Sequence, residues 1–311
     1  MLMKTNWSKI RFIASIFLIL DVLTAVVFYV KANLESFLVI KQISAANICI
    51  IAFFVMVNFI AIGLTLKIVL APFRVKLRFR EWFGLTMLTS LGNLFVPAGG
   101  LGMRAVYLKK VHNFQYTHFL STFAAVSIID ILLFGLIGIL GLLYIFWQKG
   151  FLHIPLLIVF ISVIGACLTA LWLSPGFKDS KNRFIQKIIN VFRSWSELKK
   201  EPGIIRKLFF TTGLNLVSSI FIYFFILRSL GLNISYPEAF LPAALGDYGA
   251  YIRILPASFG FFEGGVIFSS QVIGASTAQA VLAAALVRII VISWTIVLGL
   301  FFAWVLIWRK K

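Results

Sequence analysis

Several apolar runs in this sequence are longer than the roughly 18 residues that a helix needs to cross a lipid bilayer. They raise the hydrophobic fraction to 61% and the mean hydropathy to +1.02, far above the values of soluble globular domains. Outer-membrane barrels show alternating segments of about ten residues, and this sequence has none. The chain is therefore predicted to be an all-α protein that crosses the membrane several times.

The formal net charge of +19 would favour nucleic-acid binding in a soluble protein. In a membrane protein, Lys and Arg concentrate in cytoplasmic loops, next to anionic lipid. We therefore expect a membrane phospholipid or glycolipid as the partner, and no nucleic acid. The longest polar stretch, 174–207, is a basic cytoplasmic linker that is too short to form a soluble domain. Within it, residues 184–198 are predicted to form an amphipathic surface helix.

Two apolar stretches, 91–104 and 253–265, carry residues that break a helix. Pro97 and Pro256 each remove a backbone donor, and the glycines nearby free the backbone, so a helix must break at each place. Broken backbone at membrane depth is tolerated only where protein or a water-filled cavity covers it. We predict that the two breaks face each other inside the protein and form a polar path for a lipid headgroup.

The distribution of Lys and Arg predicts that each broken stretch is a re-entrant hairpin, with a full crossing as the alternative. If residues 82–110 crossed once, the basic linker 174–207 would lie outside, against the positive-inside rule. As a hairpin this stretch returns to the cytoplasm, and residues 238–275 form a second hairpin from the outer face. Both termini then lie on the cytoplasmic side of the membrane. The six predicted spanning helices cover about 10–30, 43–66, 119–147, 155–173, 208–230 and 277–308.

The predicted elements run span, span, hairpin, span, and then repeat upside down. This order is typical of the inverted repeats of transporters. Arg104 follows Pro97 by seven positions and Glu263 follows Pro256 by seven, so opposite charges occupy matching places. We expect a single integral membrane domain whose two halves are about 1–147 and 155–311.

Polar groups at the breaks are the candidates for binding a headgroup. The N-terminus of a half-helix carries unpaired N–H groups and a partial positive charge, which suit a phosphate. Arg104 would add a guanidinium to such a site, unless its side chain extends to the cytoplasmic surface. Asn93 is expected to bond either the broken backbone or the headgroup.

Charged residues inside the apolar segments follow the same logic. Glu263 is expected to be buried, and it either pairs with Arg288 or Arg104 or cycles protons. Asp21 and Asp247 are further intramembrane carboxylates. The candidate substrate-binding residues are Asn93, Pro97, Gly99, Gly100, Arg104, Asp130, Arg253, Pro256, Gly260, Glu263 and Arg288.

No arrangement of residues for catalysis stands out. The histidines are scattered without metal-ligand spacing, and both cysteines, Cys49 and Cys167, lie in apolar runs that favour a core role. The sequence has no phosphate-binding GxxxxGK[ST] loop. We therefore expect no enzymatic activity, no metal and no cofactor.

The chain resembles the flippase-like transmembrane domain of bacterial lysylphosphatidylglycerol synthases and its free-standing relatives. The resemblance implies a membrane domain with re-entrant helices that moves or binds amphiphilic lipids of the cell envelope. Many members carry an acidic residue where this chain has Leu101 and Gly102. The aminoacyl-transferase domain of the full synthases has no room here, so we expect no lipid lysinylation by this chain alone. The matching residues are Asn93, Pro97, Gly99, Gly100, Arg104, Asp130, Pro256, Gly260, Glu263, Gly264 and Arg288.

Together these features predict a lipid translocase or lipid-binding membrane protein that handles an anionic or amphiphilic cell-envelope lipid. Two alternatives stay open. One is an integral-membrane transferase that acts on an isoprenoid or glycolipid phosphate, although the sequence has no acidic metal-binding cluster. The other is an accessory subunit whose basic linker docks an envelope lipid synthase. A homo-oligomer is also left open.

Overall fold

The computed structural model describes residue 31, residues 43–172 and residues 202–307, with a few isolated residues between 182 and 196. Within these ranges the chain is helical and has no strand, so the predicted all-α class is confirmed there. The helices are α1 (Ala45–Leu70), α2 (Phe79–Phe95), α3 (Gly99–His112), α4 (Tyr116–Lys149), α5 (Ile154–Trp172), α6 (Pro202–Ser229), α7 (Phe240–Tyr251), α8 (Phe261–Val272) and α9 (Thr277–Ile307). Single 3₁₀ turns lie at Ala71–Phe73, Tyr236–Ala239 and Pro256–Ser258.

Four helices are long and apolar enough to cross a membrane, and they coincide with four of the predicted spans. The apolar part of α5, Ile154–Thr169, is shorter, so the crossing expected at 155–173 stays a prediction. The span expected at 10–30 lies outside the described residues, as do most of the basic linker and its surface helix. The four candidate spans are Ala45–Phe73, Tyr116–Lys149, Gly203–Ser229 and Thr277–Leu306.

Helix α6 begins earlier than the sequence pattern suggested. We predicted a start near residue 208, but the helix begins at Pro202 and takes in the last residues of the basic linker. Proline suits this first position because its fixed φ fits a helix and its missing N–H would have no partner there. The hydrophobic run marks only the apolar part of the helix and not its start.

Each predicted break separates two helices that pack against each other, α2 with α3 and α7 with α8. At both breaks a proline is followed directly by an alanine in the left-handed region, Ala98 with φ 56° and Ala257 with φ 51°. Such a residue costs about 1–2 kcal/mol, so the surrounding structure must hold it in place. The two breaks thus share an unusual local conformation.

Glycines allow the two helices of each pair to approach closely. A Cβ atom on Gly100 would overlap the carbonyl oxygen of Thr89 on the facing helix α2. In the second pair, a Cβ atom on Gly249 would overlap the carbonyl oxygen of Phe261. Main-chain atoms cannot rotate away as a side chain can, so these two positions require glycine.

The helix pairs and the long helices pack in a reciprocal pattern. Helix α1 runs along α6, while α2 packs against α9 and α7 packs against α4. Each helix pair therefore contacts the long helix that follows the other pair in the chain. The inverted repeat with halves 1–147 and 155–311 stays a prediction.

An ion pair fixes the end of α4 to the segment before α7. Lys149 Nζ lies 2.7 Å from Glu238 Oε1 and also donates to the carbonyl oxygen of Ile273 at 2.9 Å. Glu238 Oε2 accepts from the backbone N–H and the hydroxyl of Ser235 at 2.8 and 2.9 Å. Burial by itself raises the pKa of Glu238, but the bonds from Lys149 and Ser235 outweigh it and lower this pKa below 4.5.

This lowered pKa predicts a pH-dependent contribution to stability. The contribution is fully present above the unfolded pKa, near 4.5, and is lost as pH falls through the lower folded pKa. We expect Glu238→Gln to reduce the stability near neutral pH by about 1–2 kcal/mol. Melting temperatures in detergent between about pH 7 and 3 should fall more steeply for the wild type than for the variant. Parallel curves would contradict this role.

The close packing of the first helix pair predicts a large effect of one added methyl group. Gly100→Ala should lower stability by about 3 kcal/mol, because the backbone of α2 must move away. Gly102→Ala is the matched control, since a Cβ atom there meets nothing within 4 Å. Thermal unfolding of both variants in the same detergent provides the test. Equal melting temperatures would show that α2 and α3 do not pack as described.

Candidate functional site

Five of the predicted site residues line three adjoining cavities between the helix pairs and the long helices, namely Asn93, Arg104, Asp130, Arg253 and Arg288. The first, of about 70 Å³, is lined by Arg104 and Asp130 and is called the Arg104 cavity. The second, of about 210 Å³, is lined by Asp247 and is called the Asp247 cavity. The third, of about 200 Å³, lies between the two breaks and is called the tip cavity. Ile62 lines the first and second cavities; Ala250, Arg288 and Val291 line the second and third.

Arg104 on α3 is buried, with only 4% of its surface exposed. Its Nε atom donates to the Thr89 hydroxyl at 2.9 Å, and that hydroxyl donates to the carbonyl oxygen of Leu85. The alternative in which Arg104 extends to the cytoplasmic surface is therefore wrong. In the part of the chain that the structure describes, no carboxylate forms an ion pair with Arg104.

A second arginine comes from the other break. Arg253 lies just after α7, where it lines the tip cavity and lies over the ring of Phe123 at 5.4 Å. Phe123 in turn lines the Arg104 cavity. The positive charges of Arg253 and Arg104 are close enough to interact, and no carboxylate among the described residues pairs with Arg253. Two like charges in a partly dry site repel each other unless an anion lies between them.

Asp130 on α4 accepts hydrogen bonds from neutral groups. Its Oδ1 accepts from the Thr212 hydroxyl at 2.9 Å, and its Oδ2 accepts from the Tyr251 hydroxyl at 2.8 Å. These donors come from α6 and α7, so the carboxylate joins three helices at the Arg104 cavity. None of the ion pairs within the described ranges includes Asp130.

Glu263 pairs with Arg288, which is one of the predicted alternatives. Glu263 Oε1 accepts from Arg288 Nε at 2.6 Å and lies 2.6 Å from Nη2. Arg288 Nη1 donates to the carbonyl oxygen of Ala257, the left-handed residue of the second break, at 3.0 Å. The guanidinium also lies over the rings of Phe259 and Phe262, at 4.9 and 4.5 Å. This pair therefore stabilises the second break.

The helix N-termini at the breaks are occupied by groups of the protein itself. Asn93 Oδ1 accepts from the N–H of Gly100 at 2.9 Å, which is the backbone role that we considered for it. The N–H groups of Gly99, Leu101 and Gly102 donate to carbonyl oxygens of the break. At α8, Glu263 Oε2 accepts from the N–H of Gly260 at 2.8 Å. A headgroup would therefore meet the arginines rather than the N–H groups of the first break.

Several polar residues in these cavities gave no signal in the sequence. Thr89, Thr212 and Tyr251 bind the predicted charges, yet hydroxyl residues in apolar helices commonly bond a carbonyl one turn earlier. Thr86, for example, donates only to Trp82 among the described contacts. Only the tertiary arrangement distinguishes the two cases. The described residues hold no group of three or more His, Cys, Asp and Glu side chains that would suit a metal ion.

The ion pair at the second break predicts a double-mutant coupling. Glu263→Gln should lower stability by about 2–3 kcal/mol, because the Arg288 guanidinium loses the charge that compensates it. Adding Arg288→Met should restore part of this loss, which a thermodynamic cycle of melting measurements would detect. Simple addition of the two single effects would show that the pair contributes nothing to the break.

The sequence from residue 12 to residue 299 matches the model of one protein family. That family is described as the lysylphosphatidylglycerol synthase TM region. The match includes both breaks and all eleven candidate site residues, and it confirms the resemblance drawn from the sequence. No curated protein matches the chain.

Proposed function

Because the chain belongs to the lysylphosphatidylglycerol synthase TM region family, we propose that it binds an anionic envelope lipid and moves the headgroup between leaflets. The main evidence for this proposal is the arrangement of Arg104 and Arg253. They come from two different breaks, their charges interact, and no carboxylate in the described ranges pairs with either. A lipid phosphate is the anion that a membrane supplies at this position.

The cost of burying charge explains why a phosphate fits this site. A buried guanidinium without a counter-ion is costly, and a second one nearby increases the cost. A phosphate offers several acceptor oxygens and accepts bidentate bonds from arginine. In our proposal, Arg104 holds the phosphate with its terminal nitrogens while its Nε stays bound to Thr89.

The adjoining cavities would form the route of the headgroup. The Arg104 cavity also presents polar groups from α1, α4 and α6, whereas acyl chains can stay in the bilayer. We propose that the pairs α2–α3 and α7–α8 enter as re-entrant hairpins from opposite leaflets. With 17 and 12 residues, α2 and α7 are about 26 and 18 Å long, shorter than the hydrocarbon core. In this scheme the protein binds and releases the lipid without making or breaking covalent bonds.

The proposal predicts that Arg104 determines the preference for anionic lipid. Arg104→Gln should weaken binding of phosphatidylglycerol about tenfold or more, since it removes a charge-assisted pair. Binding of phosphatidylcholine should change little. Native mass spectrometry with defined lipids measures the binding of both lipids. A flipping assay with a fluorescent anionic lipid in proteoliposomes measures transport.

Arg228→Gln is the matched control for this experiment. Arg228 is an exposed arginine on α6 that lies over the ring of Phe224, away from the three cavities. Its loss should leave selectivity unchanged. If Arg104→Gln retains normal selectivity in a protein that melts like the wild type, Arg104 does not bind the headgroup. Wild-type proteoliposomes that behave like empty vesicles would refute translocation.

A further inference from the structure

Asp247 lies on α7 and lines the Asp247 cavity, outside the proposed phosphate site. Its Oδ2 atom is buried and has no hydrogen-bond partner in the described part of the chain. No ion pair described for the chain includes this carboxylate. A charge in such surroundings is unfavourable, because neither water nor a cation compensates it.

The polar groups nearest to Asp247 are neutral. The Ser219 hydroxyl on α6 lies close to the carboxylate. The Asn58 amide nitrogen donates to that hydroxyl at 3.1 Å and to the carbonyl oxygen of Asn215 at 3.5 Å. This network orients Ser219 but brings no positive charge to Asp247.

The charged and titratable groups around Asp247 do not neutralise it either. Arg288 on α9 lines the same cavity, but the positive charge of Arg288 is neutralised by its ion pair with Glu263 on α8. Tyr223 on α6 and Tyr251 at the end of α7 both interact electrostatically with Asp247. Asp130 is close enough for its negative charge to repel that of Asp247. The positive charge of Arg253 interacts with Tyr251.

We propose that Asp247 binds and releases a single proton, and that its protonation accompanies binding of the anionic headgroup. A proton on Oδ2 removes the uncompensated charge and converts an orphaned acceptor into a hydrogen-bond donor. A proton fits better than a metal ion, because the described residues hold no metal-binding group of acidic, His or Cys side chains.

The coupling between protonation of Asp247 and binding of the headgroup follows from the sign of the charges. The Asp247 and Arg104 cavities share Ile62, and Tyr251 contacts Asp130 while also interacting with Asp247. An anion that enters the Arg104 cavity adds negative charge next to Asp130 and in the cavity adjoining that of Asp247, which favours uptake of a proton. Release of the anion favours release of the proton. The proton site depends only on Asp247 and its surroundings, whereas the coupling rests on the proposed function.

Infrared spectroscopy of the full-length protein in phosphatidylcholine vesicles tests the proton site without any transport. The C=O stretching band of a protonated carboxylic acid should titrate in the wild type, vanish in Asp247→Asn and shift in Asp247→Glu. Glu238→Gln is the control, because Glu238 is paired with Lys149 and should leave the band unchanged. A spectrum of Asp247→Asn identical to that of the wild type between about pH 5 and 9 would overturn the proposal.

Measurements of proton uptake and of lipid transport test the coupling separately from the proton site. A pH-sensitive dye should report uptake of one proton per bound phosphatidylglycerol in the wild type and none in Asp247→Asn. A pH gradient should change the rate of flipping about tenfold in the wild type only. Dependence on a sodium gradient instead would overturn a proton as the bound ion. If the band titrates but no lipid binds or moves, the proposed function fails and the proton site stands.

Discussion

A helix that breaks inside a bilayer leaves peptide groups that water cannot reach, and every such group needs a partner from the protein. Here the side chains near the breaks supply those partners. Asn93 binds the N–H of Gly100, and Glu263 binds the N–H of Gly260. Arg288 binds the carbonyl oxygen of Ala257. These bonds hold two strained turns in place, and the arrangement of the cavities depends on them.

The same bonds decide which charges remain without a partner of opposite charge. Glu263 and Arg288 neutralise each other, so they belong to the scaffold of the second break. Arg104 and Arg253 have no carboxylate partner in the described ranges, and Asp247 has no cation. A soluble protein would expose such groups to water. We propose that the unpaired charges next to the cavities bind ligands of opposite charge, a phosphate in one place and a proton in the other.

The sequence predicted the breaks well because Pro97 and Pro256 act locally. The Glu263–Arg288 pair was also within reach, since a carboxylate in an apolar segment needs a nearby cation. The sequence could not predict the partners of the other charged residues. Nothing in an apolar helix shows that Tyr251 will bind Asp130 across the fold, 121 positions away in the chain. A proline at the first position of a helix is a known start signal, which fits the start of α6 at Pro202, whereas the hydrophobic run alone predicts a start near residue 208.

The proposed function requires an anion that lies between Arg104 and Arg253, which come from two separate breaks. The most direct measurement is a cryo-electron microscopy map of the protein in nanodiscs that contain phosphatidylglycerol. We expect density for a lipid phosphate within hydrogen-bond reach of Arg104, with Arg253 nearby and the acyl chains in the bilayer. A map in which a carboxylate of the protein, such as Asp21, pairs with Arg104 and leaves no room for a phosphate would contradict the proposed function.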